Sequence, residues 1–76
     1  MIEYQLFIEN KYDKLYGFYE TYGIIALKNK VELCTVYDIS LDKAKVAALV
    51  KKFNEDHLEF EHLSQMVEEF LYNFTV

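Results

Sequence analysis

The apolar pattern of this chain changes period once. Through residue 40 apolar and polar side chains tend to alternate, and from residue 41 onward the apolar ones recur every three or four positions. A period of two belongs to pleated strands and a period near 3.6 to helices. The chain therefore reads as a β half followed by an α half.

In the β half, Ile2, Tyr4, Leu6 and Ile8 point one way and Glu3, Gln5 and Glu9 the other, with Phe7 as the exception; residues 2–9 predict a half-buried strand. The polar stretch Asn10–Asp13 predicts a turn or loop. The run KLYGFYETYGII, residues 14–25, then holds three tyrosines, a phenylalanine and both glycines of the chain. Leu15, Tyr16, Tyr19 and Tyr22 also fit a helical spacing, but each glycine costs a helix interior roughly 1 kcal/mol, whereas Tyr, Phe, Thr and Ile favour a pleated surface. A strand over residues 16–28 follows, with a bulge at one of the glycines. Asn29-Lys30 separates it from a third strand over Val31–Val36, because asparagine tolerates the positive φ of a tight hairpin.

In the α half, Ser40 is positioned to cap a first helix and Asp42 to meet its dipole. Val46, Ala47, Leu49, Val50 and Phe53 form its apolar stripe, and Asn54 can supply a left-handed C-terminal residue. A second helix carries Phe60, Leu63, Met66, Val67, Phe70, Leu71 and Phe74 on one side, and Glu61, Gln65, Glu68, Glu69 and Asn73 on the other. The expected fold is one α+β domain over residues 1–76: a three-stranded antiparallel sheet in βββαα order, with two C-terminal helices packed on one face.

Seventy-six residues give a small core that rarely nets more than about 3–5 kcal/mol without a disulfide, a metal or a second copy. Cys34 is the only cysteine, so no disulfide forms within one chain, and its apolar neighbours suit a small buried hydrophobe better than a nucleophile. No stretch approaches the ~20 consecutive apolar residues of a membrane span. The N-terminus lacks the basic start and apolar run of a signal peptide, so the expected location is cytoplasmic. Scarce apolar mass argues that Tyr16, Phe18, Tyr19 and Tyr22 serve sheet core plus a partly exposed sheet face, where a contiguous tyrosine patch is a candidate protein interface.

Charge is uneven. Residues 1–40 carry six acids and four lysines, residues 41–53 carry one acid and four lysines, and residues 54–76 carry six acids with no base. With a net charge of −5 and no arginine, direct nucleic-acid binding is not expected, since arginine is the residue best matched to phosphate and base edges. The acids Glu55, Asp56, Glu59, Glu61, Glu68 and Glu69 form a candidate acidic surface that could imitate phosphates.

Chemistry-bearing patterns are sparse. His57 and His62 stand five apart rather than the three or four that share a helical face, which argues against a metal pair. Nothing places Cys34 beside either histidine, and two glycines five residues apart cannot write a phosphate cradle. The residues Tyr22-Gly23-Ile24, Asp38-Ile39-Ser40, Phe53-Asn54, His62-Leu63 and Val67-Glu68-Glu69-Phe70-Leu71 resemble the pattern of a group of short uncharacterised proteins of Firmicutes, a domain of unknown function. The likeness spans roughly residues 22–71. It implies a bacterial, cytoplasmic setting and brings no activity, ligand or catalytic residue with it.

The expectation is thus a non-enzymatic protein–protein interaction module without cofactor, metal or small-molecule ligand, which pairs with another protein or with itself as a homodimer. The alternative is an acidic inhibitor, a nucleic-acid mimic that binds a basic nucleic-acid-handling protein.

Overall fold

The computed structural model describes residues 2–75, with side chains through Asn73. Strands β1 (Ile2–Asp13), β2 (Gly17–Lys28) and β3 (Val31–Ser40) form an antiparallel sheet in the order β1-β2-β3. Helix α1 (Lys43–Glu55), a single 3-10 turn (Phe60–His62) and helix α2 (Leu63–Thr75) follow. This is the α+β chain order expected from the change of period.

The first hairpin is longer than the apolar pattern suggested. β1 runs four residues past Glu9, and Asn10, Lys11, Tyr12 and Asp13 pair with Glu20, Tyr19, Phe18 and Gly17. Backbone pairing needs no burial, so polar residues extend the ladder as readily as apolar ones. The turn is closed by chemistry suited to it. The Asp13 carboxylate accepts the amide protons of Leu15 (2.7 Å) and Tyr16 (3.1 Å), and Gly17 takes φ +80, which is free of steric cost only for glycine. At the second hairpin Asn29 and Lys30 both adopt positive φ (52 and 67), the mirror-image turn that matches strand twist.

β3 is irregular where β1 is not. Its register with β2 shifts once between Ala26 and Leu27, leaving Leu33 unmatched, and again between Tyr22 and Ile24. At the second shift the chain folds inward over Gly23: a Cβ there would collide with the Val36 carbonyl and lie 3.3 Å from Tyr37 Cα. Asp38 turns to φ 55 in this bulge, and its carboxylate accepts from the buried Thr21 hydroxyl at 2.5 Å. The bulge foreseen at a glycine thus lies in the strand opposite Gly23.

The core joins Tyr4, Tyr22, Ile24, Ala26 and Ile39 of the sheet to Val46 and Phe53 of α1 and Leu63 and Val67 of α2. α1 lies against all three strands, and the Tyr4 and Phe53 rings meet edge to face at 5.6 Å. Within the expected helical stripes, Leu49, Val50, Met66 and Phe70 are half-buried, Ala47, Phe60 and Leu71 are exposed, and the Phe74 side chain lies outside the described residues.

Two capping assignments differ from expectation. Asp42, not Ser40, caps α1, accepting from the Lys45 amide at 3.3 Å, while the Ser40 hydroxyl accepts from the Asp42 amide. At the other end His57 (φ 52), not Asn54, is left-handed, and the Leu58 amide donates back to the Phe53 carbonyl at 3.0 Å, which stops the helix. Asn54 is thereby released for another role: its side-chain amide pairs with both backbone groups of Tyr4, across 50 residues of sequence.

Candidate functional site

The molecule measures 42 × 30 × 18 Å, and a 12-residue strand at about 3.4 Å per residue accounts for the long dimension. The apolar cluster draws on the Ile2–Leu6 part of β1 and the Tyr22–Ala26 part of β2. The rest of the first hairpin projects beyond it. Consequently Ile8 is 44% exposed, Tyr12 63%, Leu15 85%, Tyr16 84% and Phe18 85%. Tyr12 and Phe18 lean together at a ring separation of 5.0 Å.

The four aromatics proposed from sequence therefore separate. Tyr22 is core, with its hydroxyl donating to Glu20 at 3.1 Å. Tyr19 stands 38% exposed on the opposite side of the sheet, and Tyr16 and Phe18 are in solvent at the tip. Scarce apolar mass keeps Tyr22 inside but not Tyr16 and Phe18, because the core closes without the hairpin end. Sequence reasoning missed Ile8, Tyr12 and Leu15 as surface residues. No local signal marked them, because the alternation breaks at the polar run Glu9-Asn10-Lys11 and the strand continues only by pairing with β2.

Among the described residues, the strand edge beneath the tip is open. Tyr4 directs its N–H and C=O away from β2, to Asn54. By the alternation of an antiparallel ladder, Leu6, Ile8, Asn10 and Tyr12 direct theirs the same way. β1 pairs with β2 at every residue from Ile2 to Asp13, so this edge is unbroken, free of bulges and of proline. The edge of β3 carries two irregularities, a usual form of edge protection.

On the side of the sheet away from the cluster, Phe7 and Tyr37 meet edge to face at 5.5 Å. Beside them Lys11 lies 3.9 Å from the Asp38 carboxylate. Glu9, two residues along β1, has one carboxylate oxygen buried without a hydrogen-bond partner. Asp13, Tyr16, Tyr19, Asp38 and Leu41 border a surface hollow of about 470 Å³.

Comparison with family models, curated proteins and solved structures finds no match. The site is thus read from its geometry.

The six acids are all exposed, but they are dispersed. Glu59 and Glu61 border one groove together with Lys28, whereas Glu68 and Glu69 border another with Gln65, Tyr72 and Asn73. Cys34 is half-buried, and burial, followed by the neighbouring Glu32 charge, raises its pKa above the ordinary 9.0, so the thiol stays protonated and weakly nucleophilic at neutral pH. His57 and His62 are exposed. Among the described residues no three His, Cys, Asp or Glu side chains gather where a metal ion could be held, and no helix is long and apolar enough to cross a membrane.

Proposed function

We propose that this chain is a non-enzymatic interaction module, set in a bacterial cytoplasm, that associates with a second copy of itself through its first hairpin. The observation that supports the reading is the hairpin end itself. Tyr12, Leu15, Tyr16 and Phe18 stand in solvent while a closed core forms without them. Exposed aromatic clusters of this kind are what protein interfaces bury, and tyrosine and phenylalanine are enriched at their centres. The chain's small core also stands to gain from a second copy, since association that only the folded state can make raises stability by mass action.

Sedimentation velocity over a wide concentration series tests the proposal. A monomer–dimer equilibrium in the natural sequence, shifted to monomer by the double change Tyr12→Ser and Phe18→Ser, is the expected result. A strict monomer at every concentration would overturn it.

A further inference from the structure

We infer that two copies join edge to edge through β1, antiparallel and in one register, with a two-fold axis beside Asn10, so that the two sheets become one six-stranded sheet. The inference rests on the self-association proposed above and specifies where and how it occurs.

Only the outward-directed residues Leu6, Ile8, Asn10 and Tyr12 can bond across this edge. Pairing cannot extend to Tyr4, because Asn54 already holds its N–H and C=O. In a symmetric antiparallel pair each residue faces one whose number makes a constant sum with its own, and side chains directly opposite share a face. Centring on Asn10 sets Asn10 opposite Asn10, Ile8 opposite Tyr12 and Glu9 opposite Lys11, for about six new backbone hydrogen bonds.

Both faces are then complementary. On the side of the core cluster, a row forms from Phe18 and Tyr12 of one copy to Ile8 and Tyr22 of the other, since Tyr12 pairs with Phe18 and Ile8 with Tyr22 within each hairpin. The row covers the exposed Ile8 and Tyr12 side chains, with Phe18 behind Tyr12 at its end. On the other side, Lys11 of each copy comes opposite Glu9 of the other, giving two symmetric ion pairs and a cation beside a carboxylate that has an unpartnered oxygen.

Neighbouring registers do worse. Centring on Glu9 sets Glu9 against Glu9, and centring on Lys11 sets Lys11 against Lys11 and Glu9 against Asp13; like charges directly opposite destabilise a sheet. Centring on Ile8 bonds only Leu6, Ile8 and Asn10, faces Tyr12 with the occupied Tyr4, and sets Glu9 against Phe7 and Lys11 against Gln5, so no ion pair forms and Tyr12 is left unbonded.

Charge exchange and cross-linking read the register directly. Glu9→Lys alone, or Lys11→Glu alone, creates two like-charge pairs and should raise the dimer dissociation constant by roughly tenfold. The double variant should recover the affinity of the natural sequence; in a register that sets Glu9 against itself, neither single change adds a like-charge pair and neither weakens the dimer. In a Cys34→Ser background, Asn10→Cys should cross-link on oxidation, because bonded pairs place Cα atoms about 5.5 Å apart, within disulfide reach. Ile8→Cys should cross-link only when mixed with Tyr12→Cys. A dimer that ignores the charge exchange and does not cross-link at position 10 overturns the register and leaves self-association standing. A chain that remains monomeric, or that pairs its β1 edge only with an added extended peptide, overturns both.

Discussion

Asn54 of α1 holds Tyr4 of β1 as a neighbouring strand would: the Tyr4 N–H donates to Oδ1 at 2.8 Å, and Nδ2 donates to the Tyr4 carbonyl at 2.9 Å. The same tyrosine sends its hydroxyl to the Leu58 carbonyl at 2.8 Å, just past the left-handed residue that ends α1. One residue of an edge strand is thus fastened to the helix end by three hydrogen bonds. Asn54→Ala leaves two backbone groups of a buried residue without partners, at a cost of about 2–3 kcal/mol. Urea unfolding measures it. Asn54→Asp keeps the acceptor, loses the donor, and should fall no lower than alanine.

Tyr4→Phe keeps the ring against Phe53 and removes only the hydroxyl, so the loss should be about 1–2 kcal/mol, or roughly 4–16 °C in Tm for a domain of this size. The variant also bears on alkaline stability. Burial, then the nearby Cys34 and Glu61 charges, raise the Tyr4 pKa above its ordinary 10.0. The folded state therefore keeps this proton longer than the unfolded one. The associated stability is fully present below pH 10.0 and is lost as pH rises through the higher folded value. Cys34 behaves likewise from 9.0 upward. Unfolding free energy measured between pH 8 and 11 should decline for the natural sequence and decline less steeply for Tyr4→Phe.

Gly23→Ala should be among the most damaging single changes. The added methyl meets backbone atoms of Val36 and Tyr37, which belong to the β3 bulge and cannot swing aside as a side chain would. A loss of roughly 3 kcal/mol or more, or failure to fold, is expected by circular dichroism. Gly17→Ala meets no atom within 4 Å but must hold φ +80, so about 1–2 kcal/mol is expected.

His57→Gly should stabilise the fold by about 1 kcal/mol, since an exposed non-glycine residue at φ 52 bears a left-handed cost that glycine does not. Thermal unfolding checks it; a decrease in Tm would mean that the imidazole makes a contact worth more than the strain.

Measured at concentrations where the chain is monomeric, Tyr16→Ser and Phe18→Ser should each leave stability within about 0.5 kcal/mol, because both side chains are more than four-fifths exposed. Tyr22→Ser, two residues beyond Glu20 on the same strand, should cost about 3–5 kcal/mol by opening the core. Equal losses at all three positions would contradict the division between tip and core.

The order of elements was legible because its signals are local. The change of period after Ser40, the Asn29-Lys30 turn and the Val46–Phe53 stripe are each set within a few residues, where backbone sterics and side-chain spacing act. The length of β1 was not legible: Asn10–Asp13 have loop composition and become strand only because Gly17–Glu20 run beside them. For the same reason Tyr22 and Phe18, alike in composition, take opposite fates four residues apart.

By itself, then, the amino-acid order determined strands before helices, the Asn29-Lys30 turn and the apolar stripe of α1. The tertiary structure alone decided where β1 ends, which rings leave the core, that Asn54 would bond Tyr4 instead of ending its helix, and that β1 would keep an open edge among the described residues. These outcomes depend on segments as many as 50 residues apart meeting in space, and neither spacing nor propensity carries that information along the chain.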